Sequence, residues 1–434
     1  MKYTLSFLLF LLAAAIVTVP AAGQHADARI GALLNSGDYF TLREVLPRQA
    51  DSIASPVVRG MAETLVGTFF NRPADALTAV SELLETYGDE LGPDNATSMV
   101  FMALLDLFML DRYAAAAELT DDFIADTDGS LPDELLFSLE FFRRTGHALA
   151  GRPAPELVMP EGGTCVPYRL DSVGRGRIMT VPVHIGGNVR DFVFDTGAAQ
   201  FNFVSERFAR ENGIRMIADS IPVAGIGRGW VGLGVADSIV MRNPVFLISP
   251  PDQATDTIEV ISAVLGNAFM RKAERFTIDN HTRHIVFPAE RTLHADGTER
   301  MANMMLNSFQ PYVRIHADGI PLLFHFDTGN VATTLYPPYY ELFREQVDSC
   351  GVEDTVRIGG FAGVAENVCY RLPSVEFTLE GVPFTLRDID VLPSGSAGAT
   401  AGSEAGSLGT DFATAFDTLT VDYTSCTVLG ENVP

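Results

Sequence analysis

The sequence predicts a multidomain chain: an N-terminal all-α, helical-repeat-like region followed by an all-β region made of two copies of one unit. Three observations predict it. Apolar residues recur at three- and four-residue spacing through the first third of the chain and then switch to strict alternation. The triplet Asp-Thr-Gly occurs twice, at Asp195-Thr196-Gly197 and Asp327-Thr328-Gly329, each closing a short apolar run. The surroundings of the triplets also repeat in register. An offset of 132 carries Val181 onto Val313, Val183 onto Ile315, Gly187 onto Gly319, Phe192 onto Phe324 and Phe194 onto Phe326.

Residues 1–23 read as a secretion signal, with Lys2, an apolar run from Leu5 to Val17, and small residues at Ala21-Ala22-Gly23. An uncleaved anchor is the alternative. No Cys follows the run, which argues against a lipid-anchored form, and no later stretch reaches the roughly 18 apolar residues of a membrane span. The expected location is secreted or periplasmic.

Residues 24–155 carry helical spacing, as in Ala76, Val80, Leu83, Leu84 and Tyr87. Breaks fall at Asn35 to Asp38, Asn71 to Pro73, Asp111 to Arg112 and Gly151 to Pro153, a period close to that of stacked helical hairpins. The segment resembles degenerate tetratricopeptide-type repeats. That implies either a plain helical bundle or a face for a protein partner.

A Pro/Gly hinge over 152–163 is expected to lead into the β region. Strands are expected over Arg177 to Ile185, Val189 to Phe194, Asp237 to Met241 and Val245 to Ile248. Helices are expected over Ser205 to Glu211 and, in the second copy, Pro338 to Gln346. Residues 288 to 304 link the copies, and the Gly/Ser/Ala-rich run from Pro393 to Ser403 has no counterpart in the first copy. Downstream, Val264-Leu265-Gly266 and Ser407-Leu408-Gly409 are each followed at equal distance by Asp279 and Asp422.

Together FDTGA at 194–198, FDTGN at 326–330, VLGNAF at 264–269 and SLGTDF at 407–412 make residues 165–434 resemble the aspartic peptidases, in a single-chain, retropepsin-like or pepsin-like form. The resemblance implies an all-β bilobal acid-protease fold of two pseudo-twofold-related lobes, over 164–290 and 300–434. It also implies an aspartic endopeptidase that hydrolyses peptide or protein substrates. Asp195 and Asp327 would be the catalytic pair, since two carboxylates held close cannot both ionise and so supply one acid and one base. Thr196, Gly197, Ala198, Thr328, Gly329 and Asn330 would support the catalytic loops, and the Gly-rich stretches with Gly225, Gly227 and Trp230, and with Gly359, Gly360 and Phe361, would be flaps over the cleft. Ala198 and Asn330 stand where the family often has Ser or Thr. An Asn330 side chain donating to Asp327 would make Asp327 the more acidic partner. The alternative reading is a non-catalytic peptide-binding protein that keeps the fold.

Composition narrows the partners. With 30 basic and 55 acidic residues the formal charge is −25, which disfavours nucleic acid and anionic membranes. His184, His281, His284, His294 and His316 show no convergent spacing, so no metal and no cofactor are expected. Cys165, Cys350, Cys369 and Cys426 allow three pairings or four free thiols; Cys350 with Cys369 and Cys165 with Cys426 are the expected pairs.

Overall fold

The structure is a computed structural model that describes residues 24–127, 131–225, 227–235, 241–249, 262–289, 301–360, 363–396 and 403–432. The expected signal at 1–23 lies outside these residues, as do most of the link between the copies and most of the Gly/Ser/Ala run. The chain divides between Arg152 and Pro153 into two compact units.

The first unit is helical: α1 (Gln24–Ser36), α2 (Tyr39–Gln49), α3 (Pro56–Phe69), α4 (Pro73–Met109), α5 (Tyr113–Asp126) and α6 (Asp133–Leu149). Four helix ends share one device. Gly37, Asn71, Asp111 and Gly151 all sit in the left-handed region, with φ of 70°, 54°, 56° and 71°, just past a helix end. Such a residue lets the backbone leave the helix while its last carbonyls stay bonded. The N–H groups of Arg72 and Arg112 reach back to the carbonyls of Gly67 and Leu107 at 2.8 Å in each case. Asp38 and Ser55 cap the next helices by accepting from the N–H groups of Thr41 and Val58. One further interruption was not among the expected breaks: α4 is two helices joined at Gly92 (φ 71°), with Pro93 opening the second. Phe108, fully buried, meets Tyr113 and Phe142 edge to face at the centre of the unit. Among the described residues, no helix is long and apolar enough to cross a membrane.

The second unit is β-rich. Its first half holds β1 (Glu156–Leu157), β2 (Thr164–Pro167), β3 (Arg169–Val173), β4 (Gly176–Ile185), β5 (Asn188–Phe194), β6 (Asn202–Ser205), α7 (Glu206–Glu211), β7 (Arg215–Gly225), β8 (Gly227–Val235), β9 (Met241–Arg242), β10 (Val245–Ser249), β11 (Ala263–Leu265), α8 (Asn267–Ala273), β12 (Arg275–Asp279) and β13 (His284–Phe287). The second half holds β14 (Met304–Asn307), β15 (Gln310–Ala317), β16 (Ile320–Phe326), β17 (Thr334–Leu335), α9 (Pro337–Leu342), α10 (Arg344–Cys350), β18 (Val352–Gly360), β19 (Gly363–Leu379), β20 (Val382–Val391), β21 (Gly406–Leu408), α11 (Thr410–Ala413), β22 (Thr418–Asp422) and β23 (Thr427–Glu431).

Each half builds an eight-stranded sheet, and the two orders match strand for strand: β3-β4-β5-β11-β6-β10-β8-β7 and β14-β15-β16-β21-β17-β20-β19-β18. In both, the strand ending in the Asp-Thr-Gly loop lies parallel to the short strand that precedes Gly266 or Gly409. A five-stranded sheet, β2-β13-β12-β22-β23, draws strands from both halves, and β12 pairs with β22 from Arg275↔Asp422 to Asp279↔Thr418. Alternation explains the packing. Phe192, Phe194, Phe324 and Phe326 are fully buried, and the residues between them face the other side of their sheets.

Several expectations need correction. Residues 152–163 are more than a hinge, because β1 within them pairs with β9. The expected strand from Asp237 to Met241 lies outside the described residues except at Met241. The helix expected over Pro338 to Gln346 is two helices that part at Phe343. All four cysteines are free, and neither expected disulfide forms. Cys165 is on β2, while Cys426 turns from β22 to β23, at least three strand spacings away. That is roughly 14 Å, beyond the Cα separation a disulfide spans. Cys350 is exposed at a helix end, whereas Cys369 is buried and hydrogen-bonded to Asp390.

Candidate active site

The two Asp-Thr-Gly loops meet face to face. A Cβ built on Gly329 would lie 2.5 Å from the Asp195 carboxyl carbon, and one on Gly197 would overlap the Asp327 carboxyl, so only glycine fits at either position. Behind the carboxylates the threonines exchange bonds across the halves. The N–H of Thr196 donates to Thr328 Oγ1 and the N–H of Thr328 to Thr196 Oγ1, both at 3.0 Å. Each hydroxyl then donates to the carbonyl two residues before the opposite threonine: Thr196 to Phe326 at 2.8 Å, Thr328 to Phe194 at 2.6 Å. Three buried polar groups from each loop are thereby satisfied without water.

Each loop is tied down by its own half in the same way. The N–H groups of Asp195 and Asp327 donate to the carbonyls of Leu265 and Leu408, at 3.1 and 2.9 Å. Asn267 and Thr410 return bonds to the carbonyls of Ala198 and Asn330. Gly266 and Gly409 pass so close beneath that a Cβ would strike Ala198 or Ala332. Hairpin turns also cross between the halves. Gln310 donates to the Gly197 carbonyl at 2.5 Å, and Arg177 N–H to that of Val331 at 3.1 Å.

Both carboxylates are packed round by protein yet keep some solvent access, as groups lining a narrow cleft do. They share a hydrogen bond. Burial pushes the Asp195 carboxyl well above the usual carboxylate range, and the charge of Asp327 beside it pushes further. Its Oδ1 accepts from the N–H groups of Gly197 and Ala198, at 2.7 and 3.0 Å, which only partly offsets this. Burial also raises Asp327, but the bond from Asp195 and the N–H groups of Gly329 and Asn330 pull it back. Both carboxyls are thus raised, Asp195 the more strongly, and the pair titrates as one unit that shares a proton.

The Asn330 side chain does not play the expected part. It donates to Ser407 Oγ at 3.0 Å, and only its backbone N–H supports Asp327. Ala198 packs on the apolar cluster of Ile178, Val193 and Val264. The two Gly-rich stretches are both hairpin ends in matching sheet positions: Gly225↔Gly227 closes β7 and β8, and Gly360↔Gly363 with Gly359↔Val364 closes β18 and β19. The side chain of Trp230 and all of Phe361 lie outside the described residues. Among those residues no group of His, Cys, Asp and Glu could hold a metal.

Sequence reading missed a polar patch beside Asp327, formed by His325, Ser407, Tyr312 and Tyr336. Burial lowers His325 to about 4, and burial raises both tyrosines. The offset that equates Phe324 with Phe192 also equates His325 with Val193, which is the signal that could have found it.

No family model matches the chain, and no curated protein matches it. Among solved structures, similarity extends to EDGP (11% identity, TM-score 0.36, covering 63% of this chain and 95% of that one). The basic 7S globulin from soybean matches at 10% identity and TM-score 0.37, over 61% of this chain and 96% of that one. Conglutin gamma from lupine seeds matches at 9% identity and TM-score 0.37, over 61% and 94%. Overlap this partial assigns neither fold nor activity.

Proposed function

We infer that the chain is an aspartic-type endopeptidase of bilobal acid-protease fold, a hydrolase acting on peptide or protein substrates without metal or cofactor. The observation that carries this reading is the meeting of Asp195 and Asp327, hydrogen-bonded carboxyl to carboxyl, on loops locked together by reciprocal threonine bonds. A binding role alone gives no reason to hold two carboxyls against each other at a desolvation cost.

In the proposed reaction a water sits between the carboxyls. Asp327 takes a proton from it as its oxygen adds to the scissile carbonyl, while Asp195 gives its proton to the carbonyl oxygen. The tetrahedral adduct then collapses: the C–N bond breaks, the amine nitrogen takes the proton now on Asp327, and Asp195 regains one from the adduct's hydroxyl. The hairpin ends at Gly225 to Gly227 and Gly359 to Gly363 would close over the substrate and exclude bulk water. A chain read as secreted or periplasmic would meet protein substrates there, and the helical unit offers a face for a protein partner.

Incubation of the purified full chain with a peptide library from acidic to neutral pH, beside Asp195→Asn, tests this. Cleavage by the wild type that the variant lacks is the expected result. Equal cleavage by both, or none by either, would overturn the reading in favour of peptide binding without hydrolysis.

A further inference from the structure

The two halves share strand order, so register equates residues on the sheet faces that carry the two aspartates, which on the peptidase reading are the floor of the cleft. On β16 the side chains alternate, with Phe324 and Phe326 fully buried on one face, so His325 lies on the face that carries Asp327. The row of paired residues through it runs Tyr312, His325, Ser407, Thr334 and Asp390. The matching row in the first half runs Thr180, Val193, Val264, Phe203 and Leu247. One floor is almost wholly apolar, and its centre is the cluster of Val193, Val264 and Ile178. The other is almost wholly polar.

The polar floor is also incompletely paired. Ser407 Oγ accepts from Asn330 and lies 3.4 Å from His325 Nδ1, while His325 Nε2 is enclosed and has no hydrogen-bond partner among the described residues. With Nδ1 accepting from the Ser407 hydroxyl, Nε2 carries the hydrogen and is a buried donor without an acceptor. Such a group is costly to leave unmet. The Asp390 charge is already taken by Arg175 and Arg371, so the row offers hydrogen bonds rather than a free anion.

We propose that this asymmetry sorts the two residues flanking the cut bond: the first-half floor takes an apolar side chain, and the second-half floor takes an uncharged amide or hydroxyl side chain whose oxygen accepts from His325 Nε2. The proposal rests on the peptidase reading and adds its substrate class. A symmetric apolar cleft would prefer apolar residues on both sides of the bond. Here a peptide with an apolar residue in the second position would leave His325 Nε2 buried and unpaired, and a site built around such a group discriminates strongly against the partner that lacks the acceptor.

The test is a library randomised at the two positions flanking the bond, cleaved by wild type, Asp195→Asn and the double variant His325→Val with Ser407→Val, which copies the first-half floor. Expected for the wild type is Asp195-dependent cleavage with apolar residues favoured on one side and Asn, Gln, Ser or Thr favoured about tenfold or more on the other. The double variant should turn the second position apolar. Asp195-dependent cleavage with equal apolar preference on both sides would overturn this inference and leave the peptidase reading intact. No Asp195-dependent cleavage at all would remove both. The wild-type profile decides even if the double variant does not fold, and Ser407→Val alone should shift the preference in the same direction.

Discussion

Thr196 and Thr328 hydrogen-bond each other reciprocally, N–H to Oγ1 in both directions at 3.0 Å, across 132 residues of chain. Both side chains are fully buried where the halves meet. Thr196→Val keeps the shape but leaves the Thr328 N–H and the Phe326 carbonyl without their partners in a buried site. The variant should lose about 2–4 kcal/mol of stability, measured by denaturant unfolding, and Thr328→Val should lose a similar amount. A loss below the error of the method for both would mean that the exchange does not hold the halves together.

Gly197 and Gly329 sit where any Cβ meets the opposite carboxyl. Gly197→Ala must push Asp327 aside, since the obstruction is a short side chain fixed by backbone bonds rather than the end of a flexible one. Peptide cleavage in Gly197→Ala should fall by at least about a hundredfold, the scale of a displaced acid or base. Circular dichroism should still report a folded chain.

Burial with a neighbouring carboxylate raises Asp195 in the folded state above the roughly 3.9 of an unfolded aspartate. Between those two values the folded chain holds a proton that the unfolded chain releases. Its contribution is therefore complete below about pH 4 and is lost as pH rises toward the folded value. Asp195→Asn should remove that slope and melt higher than the wild type at neutral pH while losing about 10²–10⁴-fold in activity. A variant that is inactive and also less stable at every pH would count against the shared proton.

Asn330 donates its side-chain amide to Ser407, and the Asp327 carboxylate is held by backbone N–H groups. Asn330→Ala should consequently leave the acidic limb of the pH–activity profile where it is and alter substrate preference beside Ser407 instead. A clear displacement of that limb would show that the side chain reaches Asp327 when substrate is bound.

In the helical unit Asp106 is fully buried, accepts one hydrogen bond from Thr68 at 2.9 Å, and leaves Oδ1 without a partner. Burial pushes it up to about 8. Its protonated form suits the site, so stability should fall as pH rises from about 4 to about 8. Asp106→Asn should flatten thermal melting across that range and stabilise the chain at its alkaline end.

Much of the β region was legible because duplication is written in local pattern. Val181, Val183, Phe192 and Phe194 and their partners at the offset of 132 carry the same burial in both halves, and so the same sheet order. The loop aspartates stood out for the same reason. The five-stranded sheet was not legible, because β12 and β22 are short, ordinary strands whose pairing joins residues 139 to 147 positions apart. His325 was hidden by its setting, a histidine between two phenylalanines in a run that reads as apolar, and only its register with Ser407 and Tyr312 shows the company it keeps. Cysteine spacing misled because it counts residues, whereas strand order separates Cys165 from Cys426.

That mixed sheet also sets a schedule for the nascent polypeptide. Strand β12 is translated long before β22 and β23 exist to cover it, and the Asp327 loop lacks its backbone anchor until Leu408 has been made. A ribosome-bound chain shorter than about this length would expose an uncovered strand edge, the kind of surface that chaperones engage. On the reading proposed above, the paired site would thus form only once both halves have been made.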